Sequence, residues 1–327
     1  MRAAYYDNPG AACDVLTIGN LPKPTPAAGE VLVRVIASGV NPSDVKSRGG
    51  SRLVRAFPRV VPHSDGAGVI EAVGPGIDAA RVGERVWTWN AQWKRPFGTA
   101  AAYVALPSAQ AVPLPDTVPF EVGACIGVPW LTAWRSVNFR QPATPGATML
   151  VAGGAGSVGF YTIQLAKRAG FRVVTTVSSD EKAELARSAG ADLVVDYKRE
   201  DVAAAIASFT GGTGVDQIVE VDLCGNAVSY VKLLRKDGLA VAYGSSNWSA
   251  ALPLGEWLVH GIELAVFIVY ELASEVRERA IAESARILTD GSFRHVIAAH
   301  FPLDRIVEAH EAVESGRLLG NVVVDLV

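Results

Sequence analysis

Two short stretches hold the residues best suited to chemistry. In "LVAGGAGSVGFYTIQLAKRAG", Gly154, Gly156 and Gly159 stand in G-x-G-x-x-G spacing between an apolar run and a helical one. A tight strand-to-helix turn needs a residue that tolerates positive φ, and a pyrophosphate lying on the backbone needs the Cβ out of its way. A helix opening near Ser157 and Val158 would offer unpaired N–H groups and a partial positive end to phosphate oxygens. Glycine is common here, 32 residues of 327, so the spacing alone is weak and a ligand-free turn is the plainer alternative. The strand before it and the helix after it give it meaning. The second stretch is "PHSDGAGVIE", where His63, Ser64 and Asp65 precede Gly-Ala-Gly. A histidine beside a carboxylate admits three readings: metal ligand, proton relay, or structural residue.

The end of the next apolar run bears on which dinucleotide fits. An NADH site generally has Asp or Glu there, accepting hydrogen bonds from the ribose hydroxyls. This chain reads "TTVSSDEK". Ser178 and Ser179 occupy the place of the carboxylate, with Lys182 one helical turn on, and hydroxyls plus a cation suit the 2′-phosphate of NADPH. Asp180 keeps the NADH alternative open.

These residues need a scaffold. From Thr148 onward strand-like and helical runs alternate: "TMLVAG", "FRVVTTV", "DLVVDY", "DQIVEV", "LAVAYG" and "IELAVFIV" provide six strands with helices or loops between them. That pattern predicts an α/β fold, a doubly wound parallel sheet covered on both faces. The first third differs. "EVLVRVIASGV" alternates at period two, and "GVIEAVG", "ERVWTW" and "AAAYVAL" are short runs bounded by turn residues, which predicts an irregular, mostly-β domain. "RQPATPGA" reads as a connector. Two amphipathic helices, near Ser274–Thr289 and Leu303–Glu314, and a strand "NVVVDLV" close the chain.

At 327 residues, about two domains are expected. A net charge of −3 gives no footprint for nucleic acid or an anionic membrane surface. No apolar run reaches the length of a membrane span, and "MRAAYYDNPG" lacks a signal-peptide core, so a cytoplasmic location is expected. Cys13, Cys125 and Cys224 are widely spaced and odd in number, which favours free thiols over disulfides or a C-x-x-C metal pair.

The chain resembles the quinone oxidoreductase (zeta-crystallin-like) group, zinc-independent members of the medium-chain dehydrogenase/reductase superfamily. The resemblance rests on "GVNPSDVKSRGG", "PHSDGAGVIEAVGPG", "GACIGVPWLTAWRSV", "VAGGAGSVG", "AGADLVVDYKRED" and "AHEAVESGRLLGNVVV", which occur in the family's order. It implies a GroES-like catalytic domain from residues 1–122 and 271–327, and a Rossmann NADPH-binding domain inserted at 123–270. It also implies a homodimer joined near "IELAVFIV". Asn41 matches a substrate-facing asparagine and Thr132 a threonine on the nicotinamide ribose. Lys182 and Tyr197 match positions around the 2′-phosphate, Gly244 and Ser245 a loop on the cofactor, and Val269 a segment at the carboxamide. Two positions depart from the family: Lys46 replaces a tyrosine found in several members, and Asn321 stands where some carry a phosphate-binding basic residue.

Zinc relatives hold their metal with residues that align here with Asn41, Pro42 and Ser64, and "WTWNAQWKRPFGTAAAYV" contains no cysteine for a structural zinc. No metal is therefore expected. Without a Lewis acid the substrate should accept hydride readily, as a quinone does; an α,β-unsaturated carbonyl or enoyl thioester is the alternative. Asn41 would donate to the developing oxyanion, unless it is only a turn residue before Pro42. His63 would relay a proton or be structural. Trp89, Trp93 and Trp130 are candidate pocket walls, with core packing at least as good a reading for Trp87 and Trp134. A protein that binds NADPH without turnover would carry the same glycine loop.

Overall fold

The computed structural model describes residues 1–50, 57–140, 146–247, 249 and 251–326. The chain forms two compact units, Met1–Pro129 with Ile281–Val327, and Trp130–Ala280. The expected boundaries, after residues 122 and 270, lie earlier. Both observed breaks fall inside helices, Gly127–Val137 and Ser274–Asp290, whose continuous periodicity gives no sequence signal of a border. The connector at 140–147 lies largely outside the described residues.

In the second unit six parallel strands are described. Their order is Leu193–Asp196, Arg172–Val177, Thr148–Val151, Val215–Glu220, Leu234–Ala242, Glu263–Val266. Numbered along the chain this is 3-2-1-4-5-6, the doubly wound Rossmann order, whose switch point lies between the first and fourth strands. The central strand Thr148–Val151 is buried at every position, as a sheet covered on both faces requires. Leu150, Val174, Val195, Ile206, Ile218, Tyr230 and Ala240 build the core on one face.

The first unit is a GroES-like domain around a mainly antiparallel sheet. Its central strand, Glu30–Val40, pairs with Asp65–Val73, Tyr103–Pro107 and Asn321–Asp325. This pairing explains why the strand is more continuously buried than its alternating sequence implies. The terminal strand Asn321–Asp325 also pairs in parallel with Ile297–Pro302, so the C-terminal segment completes a sheet begun by strands from the first third of the chain. Val40, Val45, Val61, Ala101, Ile306 and Val322 pack one core, which ties the helix Pro42–Arg48 to the C-terminal helix Ile306–Glu314.

Candidate functional site: a dinucleotide loop and a buried polar cluster

The glycine loop joins Thr148–Val151 to the helix Ser157–Arg168. Its glycines have different reasons to be glycine. A Cβ on Gly154 would meet Thr175 Oγ1 at 2.1 Å, and one on Gly159 would meet the Gly153 carbonyl oxygen at 2.3 Å, so the fold itself excludes side chains there. Gly156 is exposed, and its nearest neighbour would be the Gly153 oxygen at an ordinary 3.4 Å. The fold leaves room for a Cβ at Gly156, and glycine there keeps the backbone open to an approaching group. Gly156 is also the N-cap and supplies no side-chain oxygen, so the helix opens through Ser157 and Val158 with its positive end uncapped by a side chain. These features fit a pyrophosphate.

At the end of Arg172–Val177, Ser179 caps the helix Asp180–Ser188 by accepting from the Lys182 N–H at 3.4 Å. The Lys182 ammonium donates to Ser178 Oγ at 3.1 Å, holding the charge against the strand end. Tyr197 lies exposed on the following loop. Arg199, absent from the sequence candidates, pairs with Asp180, the carboxylate that kept the NADH alternative open, at 2.9 Å. On the loop after Leu234–Ala242, the Gly244 carbonyl accepts from Leu223 N–H at 3.1 Å, and Ser245 Oγ accepts from Cys224 N–H at 3.2 Å. Val269 opens a buried turn, and Thr132 is buried on Gly127–Val137.

In the first unit, Asn41 is the N-cap of Pro42–Arg48 and is nearly buried. Its backbone N–H donates to Asp44 Oδ2 at 2.8 Å, and its side-chain Nδ2 donates to Asp65 Oδ2 at 2.9 Å. The same Asp65 oxygen accepts from Val128 N–H at 2.7 Å, while Oδ1 is buried without a partner. Burial lifts the Asp44 carboxyl to about 7 and pushes Asp65 well above the usual carboxylate range, against the hydrogen bonds that favour its ionised form. Lys46 is exposed on the same helix.

His63 is fully buried in the left-handed region, at φ 78°, an uncommon conformation for a non-glycine residue. Its Nδ1 lies 2.8 Å from Ser38 Oγ and its Nε2 lies 2.9 Å from Nε2 of His310. Burial drives its basicity down to about 3, and burial, His63 and Arg48 drive that of His310 in the same direction. Both His63 nitrogens are committed, so the side chain has no lone pair free for a metal or a solvent proton. On Asp65, Oδ2 is occupied by two N–H donors, while the unpartnered Oδ1 abuts Gly127. Among the described residues, no group of three or more His, Cys, Asp or Glu is disposed to hold a metal ion. The donor set does not fit one.

Other expected positions resolve differently. Asn321 is buried, and its amide donates to the Val296 carbonyl at 3.2 Å, a bond within its own unit. Trp130 is buried in the second unit, edge-on to Tyr161 with ring centroids 5.9 Å apart, which makes it core rather than pocket wall. Trp87 and Trp134 are also buried, whereas Trp89 and Trp93 are half-exposed. No described helix is long and apolar enough to cross a membrane.

A Rossmann unit with a phosphate-ready glycine loop and a GroES-like unit in one chain define a nucleotide-dependent dehydrogenase or reductase. Residues 27–116 match the family described as alcohol dehydrogenase GroES-like domain, and residues 157–286 the family described as zinc-binding dehydrogenase. The rat (Rattus norvegicus) quinone oxidoreductase is 30% identical over 302 residues, covering 92% of this chain and 90% of its own. A mycobacterial protein solved in complex with NADPH superposes with a TM-score of 0.87 at 30% identity, over 99% of this chain and 100% of that one. An NAD-dependent alcohol dehydrogenase superposes with a TM-score of 0.91 at 29% identity, over the full length of both. The chain belongs to the medium-chain dehydrogenase/reductase family, in its quinone oxidoreductase group. It is an oxidoreductase.

Proposed function

We propose that this chain reduces quinones with NADPH by hydride transfer that uses no metal. The observation that carries the reading is the end of Arg172–Val177, where Ser178, Ser179 and the held ammonium of Lys182 stand in place of an NADH-binding carboxylate, and Asp180 is turned to Arg199. The NADPH-bound mycobacterial relative supports the cofactor, and the rat relative's name supports the acceptor. When bound, the dinucleotide supplies the hydride. Gly156 and the start of Ser157–Arg168 hold its pyrophosphate; Tyr197 and Lys182 serve its adenosine end; Thr132, Gly244, Ser245 and Val269 serve its nicotinamide end. Asn41, with one Nδ2 hydrogen given to Asp65, has a second with which to stabilise a developing oxyanion. Lys46 contributes positive charge from the same helix. His63 we assign to structure rather than proton transfer, because both its nitrogens are spent inside the fold.

We further infer a cytoplasmic homodimer. Glu263–Val266 is the edge strand of its sheet, and Val266, Leu258 and Val259 are 64%, 74% and 82% exposed. A second copy pairing along that edge would cover them. The function is tested with a panel of quinones and enones assayed by NADPH absorbance, repeated with NADH and with chelator. Chelator-insensitive quinone turnover favouring NADPH is expected. Chelator-sensitive alcohol oxidation would overturn the proposal, faster enone reduction would move it to open-chain substrates, and cofactor binding without turnover would make the chain a binding protein.

A further inference from the structure

The first unit contains a chain of buried polar groups whose proton order follows from its ends. Arg48 Nε donates to His310 Nδ1 at 3.3 Å, and a guanidinium can only donate. At the far end Thr99 Oγ1 donates to the Asp65 carbonyl at 2.5 Å, and a carbonyl can only accept. Thr99's one hydroxyl hydrogen is thereby used, so its 2.7 Å contact with Ser38 must have Ser38 as donor. Ser38 then has no hydrogen left for His63, and the 2.8 Å contact requires an N–H on His63 Nδ1. A neutral His63 protonated at Nδ1 accepts at Nε2, so His310 must carry its hydrogen on Nε2. That leaves His310 Nδ1 as the acceptor that Arg48 needs. The two rings lie within 24° of coplanar, which suits an in-line N–H···N bond. Five hydrogens fill five gaps in one direction.

The chain closes on itself. Asp65, which receives its last hydrogen on the backbone oxygen, accepts Asn41 Nδ2 on its carboxylate. Asn41 caps the helix Pro42–Arg48, whose last residue is the Arg48 that begins the chain. Arg48 is wholly buried and also donates to the Gly10 carbonyl at 2.5 Å and to the Glu314 carboxylate. We propose that Arg48, His310 and His63 are positioning residues for Asn41, acting through this closed hydrogen-bond circuit that holds both ends of its helix. The proposal rests on the reading of Asn41 as the oxyanion donor. A sixth hydrogen has no gap to fill: protonating either ring would set two donors face to face. The charged group facing the pair is Arg48, which donates to His310 and has the Glu314 carboxylate behind it.

The test begins with ¹⁵N NMR of the wild-type protein, assigned with H63Q and H310Q. Between about pH 6 and 8 both rings should stay neutral, with the hydrogen on Nδ1 of His63 and Nε2 of His310; the opposite tautomers, or titration of either ring in that range, would overturn the circuit. Quinone turnover is then measured for H310F, which can neither donate nor accept, and for H310Q, which can do both. Loss of one positioned hydrogen bond predicts kcat about tenfold lower in H310F with KM for NADPH unchanged, and partial recovery in H310Q. Folded H310F with wild-type kcat would refute the positioning role, and if H310F does not fold, H310Q must show an intermediate kcat. N41A separates the two layers, since wild-type turnover there removes Asn41 from the chemistry while the tautomers still report the circuit.

Discussion

Removing the Lys182 ammonium by Lys182→Ala should weaken NADPH binding and leave NADH binding as it was. The side chain is half-buried, and its Nζ is already anchored on Ser178 at 3.1 Å, so little further ordering is needed when a phosphate arrives. A hydrogen bond between a held cation and a phosphate contributes about 1.5–3 kcal/mol, which converts to a loss of roughly 10- to 150-fold in affinity. Arg199 is more exposed and must give up Asp180 to turn toward a phosphate, so Arg199→Ala should cost only about twofold to fivefold. Both effects should shrink as salt is raised to about 0.15 M, where exposed charges are screened within roughly 8 Å. Fluorescence titration of each variant with NADPH and NADH measures the four constants directly. Ser178→Asp, which restores a carboxylate at the strand end, should invert the preference. An equal loss of both cofactors in Lys182→Ala would show that the lysine holds the helix rather than the phosphate, and unchanged NADPH affinity would place the 2′-phosphate elsewhere.

The glycines of the loop predict a separation of folding from binding. Gly156→Ala should keep the wild-type Tm while losing at least tenfold in dinucleotide affinity, whereas Gly159→Ala, which drives a Cβ to 2.3 Å from a carbonyl oxygen, should lower Tm by several degrees, read by calorimetry. His63 holds its basicity near 3 when folded against an ordinary 6.5, so its contribution to stability is present above about pH 6.5 and is lost as pH falls toward 3. Asp44, lifted to about 7, acts with the opposite sign, favouring the fold as pH drops. The two slopes offset in the wild type, so the measurement is the stability difference between wild type and His63→Gln by urea titration, which should narrow by about 2 kcal/mol from pH 7 to pH 5. Val266→Lys with Val259→Glu should convert the proposed dimer to a monomer in sedimentation, and a dimer unchanged by them would move the interface away from the Glu263–Val266 edge.

Much of the nucleotide unit was legible because its signals are local. Six apolar runs, a glycine loop between a strand and a helix, and the residues at the next strand end all lie within short windows, and period and turn chemistry operate at that range. Arg199 escaped notice because its partner, Asp180, is 19 residues away, and nothing in "YKRED" distinguishes it from a solvated charge. The GroES-like unit was recognisable as a set of short strands, but its polar interior was not. His63 and His310 are 247 residues apart, and Arg48 and His310 are 262 apart, so no spacing rule connects them. His310 sits in "AHEAVESG" on an amphipathic helix, where a histidine next to alanine reads as an ordinary boundary residue.

The same cluster accounts for the failure of a metal-site reading of "PHSDGAG" better than ligand arithmetic does. A divalent ion needs deprotonated, electron-rich donors converging on one point. Here three of the polar atoms have been turned to neutral hydrogen bonds instead: both His63 nitrogens bridge a hydroxyl and a second imidazole, and Asp65 Oδ2 receives Asn41 and Val128. Asp65 Oδ1 faces Gly127, where a Cβ would stand only 2.0 Å away, so the space beside that oxygen is filled by backbone and leaves no room for an ion. Burial without a compensating cation pushes Asp65 toward its protonated form. A neutral acid in this position can still accept the Asn41 amide hydrogen while placing no fixed negative charge beside the group that would meet an oxyanion. An ionised Asp65 would oppose that charge, so the burial that raises the Asp65 carboxyl favours the donor role proposed for Asn41.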